Sequence, residues 1–148
     1  MSITILYGTE SGNAEMAADE CAETLPDAVA VDLMDLEPAD LDLGDTFLIV
    51  CSTYGDGELP ASAQPFVDRL VDQKPDLSEM RYAIFGLGDS GYAESYGLGG
   101  TRLAEQLDAL GAQRFGDFGR HDAAGSDDLV ETVLAWAEST VAAATSAA

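Results

Sequence analysis

The sequence predicts a doubly wound α/β domain, and three features carry that expectation. Short apolar runs rich in β-branched and aromatic residues alternate with stretches of helical periodicity, the order that builds a parallel sheet flanked by helices. Two of these runs, "TILY" and "FLIVC", are apolar without alternation, as strands buried on both faces are. Segments rich in glycine, hydroxyl groups and tyrosine follow the first, third and fourth runs, and ligands of such sheets bind at the carboxyl ends of the strands.

The elements follow in order. Strands are predicted at "SITILY" (2–7), "AVAVDL" (28–33), "DTFLIVCS" (45–52), "RYAIFG" (81–86) and, with a weaker pattern, "AQRFGDF" (112–118). Between the first two, Ala14, Ala17, Ala18, Cys21 and Leu25 share one helical face. After strand two, "MDLEPADLDLGD" is a polar connection with little helical character. Ala63, Phe66, Val67 and Leu70 form the apolar face of a second helix, and Leu103, Leu107 and Leu110 that of a third, stopped by Gly111. The last helix takes Ser126 as N-cap and Asp127 and Asp128 in its positive first turn, with Val130, Val133, Leu134, Ala137 and Val141 on one side. A frayed end is expected at "AAATSAA".

At 148 residues and 47% hydrophobic, the chain has the length of one ordinary domain, so one domain is expected over 1–148. No stretch approaches the ~20 apolar residues of a membrane span, and the opening lacks a basic start, which gives a cytoplasmic protein as the expectation. Six Lys plus Arg against 28 Asp plus Glu leave a net charge of −22. That excess repels nucleic acid and anionic membranes, so neither is a partner. Acids interleaved with patterned apolar runs give a folded chain with an acidic skin, suited to a high-salt cytoplasm where charge is screened; the alternative is a merely acidic mesophile protein. Cys21 and Cys51 lack metal-ligand or disulfide spacing and read as buried thiols, with no metal site. His121, the one histidine, falls in the polar stretch "GRHDAAGSDD" and reads as a loop residue.

Three segments carry the chemistry. After strand one, "GTESGNAE" offers hydroxyls from Thr9 and Ser11, close backbone approach at Gly12, and the free N–H groups of a helix starting near Asn13; Glu10 must turn to solvent. A phosphate fits there, as does a plain helix cap after a tight turn. No lysine follows Gly12, which disfavours a nucleotide triphosphatase. After strand three, "STYGDGE" sets Tyr54 among Ser52, Thr53, Gly55, Asp56 and Gly57; it suits a flat heterocycle, or a glycine-rich turn with an incidental tyrosine. After strand four, "GLGDSGY" spells G-x-G-x-x-G, but a dinucleotide fingerprint belongs after the first strand and opens directly into a helix. Gly86 and Gly88 instead give room for backbone approach, beside Asp89 and a second aromatic ring at Tyr92.

In this order and at these separations, "GTESGNAE", "CSTYGDGE" and "FGLGDSGYAESYG" resemble the phosphate segment and two ring segments of the flavodoxins, and "DDLVETVLAWAEST" is similar to that family's last helix. The likeness covers nearly the whole chain and extends to the flavodoxin-like domains of diflavin reductases. It implies a five-stranded parallel sheet of order 2-1-3-4-5 and non-covalently bound FMN, with the phosphate on Thr9 through Ala14. The ring would lie between Tyr54 and Tyr92, near Gly55, Asp56 and Asp89. Ala14 stands where many members carry a hydroxyl, and Tyr54 where many carry tryptophan. The direct run from "AQRFGDF" to "GRHD" lacks the insertion of long-chain members, so the short-chain type is implied.

The function so implied is a low-potential one-electron carrier, monomeric, serving a reductase and an acceptor, with no catalytic side chain of its own. Flavin supplies the electron chemistry, and Gly55 is expected to turn its carbonyl towards flavin N5 when that atom carries a proton. Asp56, Glu58, Asp89 and Glu94 would face basic partner patches, although acids elsewhere are too many for their density to mark the docking site. The alternatives are an FMN protein dedicated to one enzyme and a small quinone-reductase-like enzyme. A phosphoacceptor signalling domain would need an acidic cluster after strand one and a lysine after strand five, whereas Lys74 lies elsewhere.

Overall fold

The computed structural model describes residues 3–8, 13–25, 27–41, 44–52, 63–88, 98–115, 119–122 and 129–147. The alternation expected from the sequence is present: β1 (Ile3–Gly8), α1 (Asn13–Thr24), β2 (Ala28–Asp32), β3 (Thr46–Ser52), α2 (Gln64–Gln73), β4 (Arg81–Gly88), α3 (Leu98–Ala109), β5 (Gln113–Arg114), β6 (Gly119–Asp122) and α4 (Leu129–Ala147). All pairings are parallel, in the order β2-β1-β3-β4-β5, and β6 pairs with β4 beyond β5. This is the 2-1-3-4-5 sheet, with its last position filled by two short segments.

The split fifth position differs from the single run expected at 112–118. Arg114 lies opposite Tyr82 and Gly119 opposite Phe85, so the outer segment holds two more residues than β4 over the same rise. His121, expected in a loop, is in β6 opposite Leu87. The polar connection after β2 also carries more structure than its composition promised. It forms 3-10 turns at Leu33–Asp35 and Pro38–Asp40, the first capped by the Asp32 carboxylate accepting from the Met34 N–H at 2.9 Å. Leu33 and Pro38 are buried there.

Side chains alternate across the sheet and form two cores. Ile3, Ile5, Tyr7, Leu48, Val50, Ala83 and Phe85 meet α1 and α4 through Ala14, Ala17, Ala18, Cys21, Val133 and Ala137. Leu6, Phe47, Ile49, Cys51, Tyr82 and Ile84 meet α2 and α3 through Phe66, Val67, Leu70, Leu103 and Leu107. The apolar helix faces read from the sequence are thus turned to the sheet; within α4 the edge of Trp136 meets the Phe85 ring at 5.3 Å. Cys21 and Cys51 are buried thiols, neither of them in a disulfide. The third helix ends as expected, with Gly111 at φ +98. Ser126, Asp127 and Asp128, expected to open α4, lie outside the described residues.

Candidate functional site

Because the strands are parallel, their carboxyl ends share one edge. Gly8 is opposite Cys51, Cys51 opposite Gly86, and Gly86 opposite Arg120, so one row crosses the ends of β1, β3, β4 and β6. The next row holds Ser52, Leu87 and His121, and Gly88 pairs with Asp122. Segments 9–12, 53–62 and 89–97 therefore depart from three neighbouring strands, at Gly8, Ser52 and Gly88.

The expected site residues divide accordingly. Asn13 opens α1, and Ala14 is fully buried in the core beneath it, leaving only its backbone N–H for an anion. Ser52 ends β3. Gly86 and Gly88 belong to β4, which runs two residues beyond its expected end and keeps both within the ladder. Thr9, Glu10, Ser11, Gly12, Thr53, Tyr54, Gly55, Asp56, Gly57, Asp89 and Tyr92 lie outside the described residues.

Below this edge the packing leaves no slack. A methyl group on Gly8 would stand 2.8 Å from the Ala63 Cβ, 3.3 Å from Leu33 Cδ1 and 3.4 Å from the Cys51 Sγ. Gly8, Ala63 and Leu33 were not singled out in sequence as site residues; a glycine ending an apolar strand was the available signal, since it marks close approach of another backbone. His121 and Arg120 were also missed as edge residues, because "GRHD" carries no apolar alternation.

The electrostatics near the end of β1 are negative. Burial first, then the carboxylates of Glu15, Asp32, Asp19 and Asp35, push the Tyr7 phenol up to about 12. A groove of about 380 Å³ on the solvent side of α1 is lined by Glu15, Met16, Asp19, Glu20 and Glu23. Its carboxylates repel a phosphate, so the groove does not suit an anionic cofactor. At the strand ends, the residues from which the hydroxyl-bearing segment and the two glycine-tyrosine segments depart lie on neighbouring strands.

The family model described as Flavodoxin matches residues 5–136. The chain belongs to the flavodoxin family. Its fold is close to that of the flavodoxin of Pseudomonas aeruginosa, solved as a cysteine-to-serine variant, with a TM-score of 0.84 and 29% identity over 97% of this chain and 98% of that one. Among curated proteins it is 40% identical over 131 residues to the mitochondrial NADP-linked pyruvate dehydrogenase of Euglena gracilis, covering 81% of this chain and 7% of that protein. It is 35% identical over 141 residues to the NADPH–cytochrome P450 reductase of Candida maltosa, covering 89% of this chain and 20% of the reductase. The chain thus spans a fifth or less of the length of these curated relatives. Flavodoxins bind FMN and carry electrons, and the segments that would hold that cofactor depart from the edge formed by β1, β3 and β4.

Proposed function

We propose that the chain is a low-potential one-electron carrier built on non-covalently bound FMN. The observation that supports this reading is the row Gly8–Cys51–Gly86 across adjacent strands of one edge, from whose ends segments 9–12, 53–62 and 89–97 depart. FMN supplies one-electron chemistry when bound. Thr9, Ser11, Gly12 and the first N–H groups of α1, from Asn13 and Ala14, would hold the phosphate with neutral donors, with Glu10 turned to solvent. Tyr54 and Tyr92 would cover the ring; Ser52, Thr53, Gly57, Gly86 and Gly88 would shape the backbone around it, with Asp56 and Asp89 at its edge.

Gly55 would offer its carbonyl as the acceptor for a proton on the ring, and glycine is the residue that makes such a peptide turn with little steric cost. Carboxylates near the ring would disfavour a further negative charge on it and so lower the potential of the second electron. The test is a potentiometric titration of Gly55→Ala: the two one-electron potentials are expected to move towards each other. Unchanged potentials would remove Gly55 from this role.

The carrier works as a monomer of a salt-rich cytoplasm, catalyses no reaction by itself, and exchanges electrons with proteins that present basic patches. The likeness to P450 reductases favours a second reading, in which the unit receives electrons from an NADPH-linked flavoprotein. Mixing the FMN-loaded chain with such a reductase and cytochrome c tests this second reading, which expects the chain to raise the rate of cytochrome c reduction; an unchanged rate would count against it.

A further inference from the structure

β2 is the end strand of the sheet. Among the described strands it pairs with β1 alone, in an unbroken register from Ile3 opposite Ala28 to Tyr7 opposite Asp32, so the backbone donors and acceptors of its outer side face no strand. Edges of this kind are usually blunted by lysine, proline or a bulge. Here residues 28–31 carry no charge and no proline, the register has no bulge, and Val29 is 57% exposed.

The two sides of this edge differ. Ala28 and Ala30 pack into the core beneath α1 and α4, and Val31 into the core beneath α2 and α3. Val29 falls on the same side as Val31 by alternation, and lies outside both cores. On the other side the surroundings are anionic. α1 packs on β2, and its solvent side presents Glu15, Asp19, Glu20 and Glu23 around Met16. Glu15 and Asp19 act on the Tyr7 phenol together with Asp32 and Asp35, which gathers four carboxylates at the end of β2. Every Lys and Arg of the chain is Arg69 or a later residue. Arg69 itself is held by the carbonyls of Met34 and Leu36, at 3.0 and 2.8 Å, and by Glu37.

A second copy of the chain does not suit this edge. A twofold axis pairs β2 with itself antiparallel about Val29 or about Ala30. The first register sets Asp27 opposite Val31 and the second sets Asp32 opposite Ala28, and either one brings two α1 helices with their carboxylates towards each other.

We propose that the outer edge of β2 takes up an extended segment of a partner protein as an added strand, with apolar residues alternating with Lys or Arg. Main-chain hydrogen bonds hold such a strand. Its period of two sends the apolar side chains to the side of Val29 and the cations to the carboxylates of α1.

The experiment measures backbone amide exchange of the full chain in about 1 M KCl, where attraction between separated charges is screened. The probe is a short blocked peptide alternating lysine and valine; the control has the same composition with its valines in one run. The alternating peptide is expected to slow exchange at β2 about tenfold, the control to leave it unchanged, and Val29→Lys to weaken binding of the alternating peptide about tenfold by placing a cation on the edge. FMN binding should be the same in Val29→Lys, since β2 holds none of the residues proposed for the cofactor. Unaltered exchange at β2, equal protection by the control peptide, or equal binding to Val29→Lys overturns the proposal. Slowing that grows with protein concentration and needs no peptide would assign the edge to a second copy, and overturns it too.

Discussion

Tyr82 shows what one side chain holds together. Its ring is fully buried on β4, and its hydroxyl donates to the Asp108 carboxylate on α3 at 2.7 Å. Asp108 is exposed and returns to water when the bond is lost, so Tyr82→Phe should cost only about 1 kcal/mol, read from the urea midpoint at constant slope. Cys51 is the second case. Burial pushes its thiol from 9.0 up to about 12. Between these values the unfolded chain binds fewer protons than the folded one. The resulting stability is complete below about pH 9 and is lost as pH rises through about 12. Unfolding midpoints should therefore fall above pH 9, with a shallower fall in Cys51→Ala; equal slopes would count against burial as the cause. At about pH 8, below the ordinary thiol range, a thiol reagent should leave native Cys51 untouched and label it in denaturant.

Lys74 and Gly111 close their helices in left-handed conformations, and they behave oppositely on substitution. Lys74 sits at φ 46 as the C-cap of α2, its N–H bonded to the Leu70 carbonyl, so Lys74→Gly should raise stability by about 1 kcal/mol. Gly111 at φ +98 has the Ser78 backbone 3.2 Å from an added methyl, and Gly111→Ala should cost about 1–3 kcal/mol in the same urea assay. The helix stop at Gly111 was legible in sequence because glycine after the last apolar residue has one common physical meaning. The helix faces and the continuous apolar strands were legible for a similar reason, since periodicity records which side meets a core. The division of the fifth strand was not. β6 is polar, pairs only with β4 among the described strands, and takes its order from that neighbour rather than from its own residues. Nor was the contact of Gly8 with Ala63, because sequence records spacing along the chain and not an approach across it. The segments proposed to hold the cofactor stood out in sequence by glycines, hydroxyls and tyrosines after β1, β3 and β4, and they lie outside the described residues.

Across the whole molecule, a net charge of −22 opposes compaction, and salt screens that repulsion over a Debye length of about 3 Å at 1 M. The thermal midpoint should accordingly climb between about 0.1 and about 2 M KCl, a range that spans weak and strong screening; Trp136, the chain's one tryptophan, reports it through its packing on Phe85. A midpoint indifferent to salt would refute the high-salt setting while leaving the fold intact. The parallel order brings β1, β3 and β4 side by side, so the three segments proposed to hold the cofactor depart from one edge, and the proposed electron transfer depends on that edge holding one flavin. The direct measurement is a fluorescence titration of FMN with apoprotein in high salt. Quenching that saturates at one FMN per chain, with weaker binding of riboflavin, is expected; FMN emission unaffected by a folded excess of the protein would contradict it.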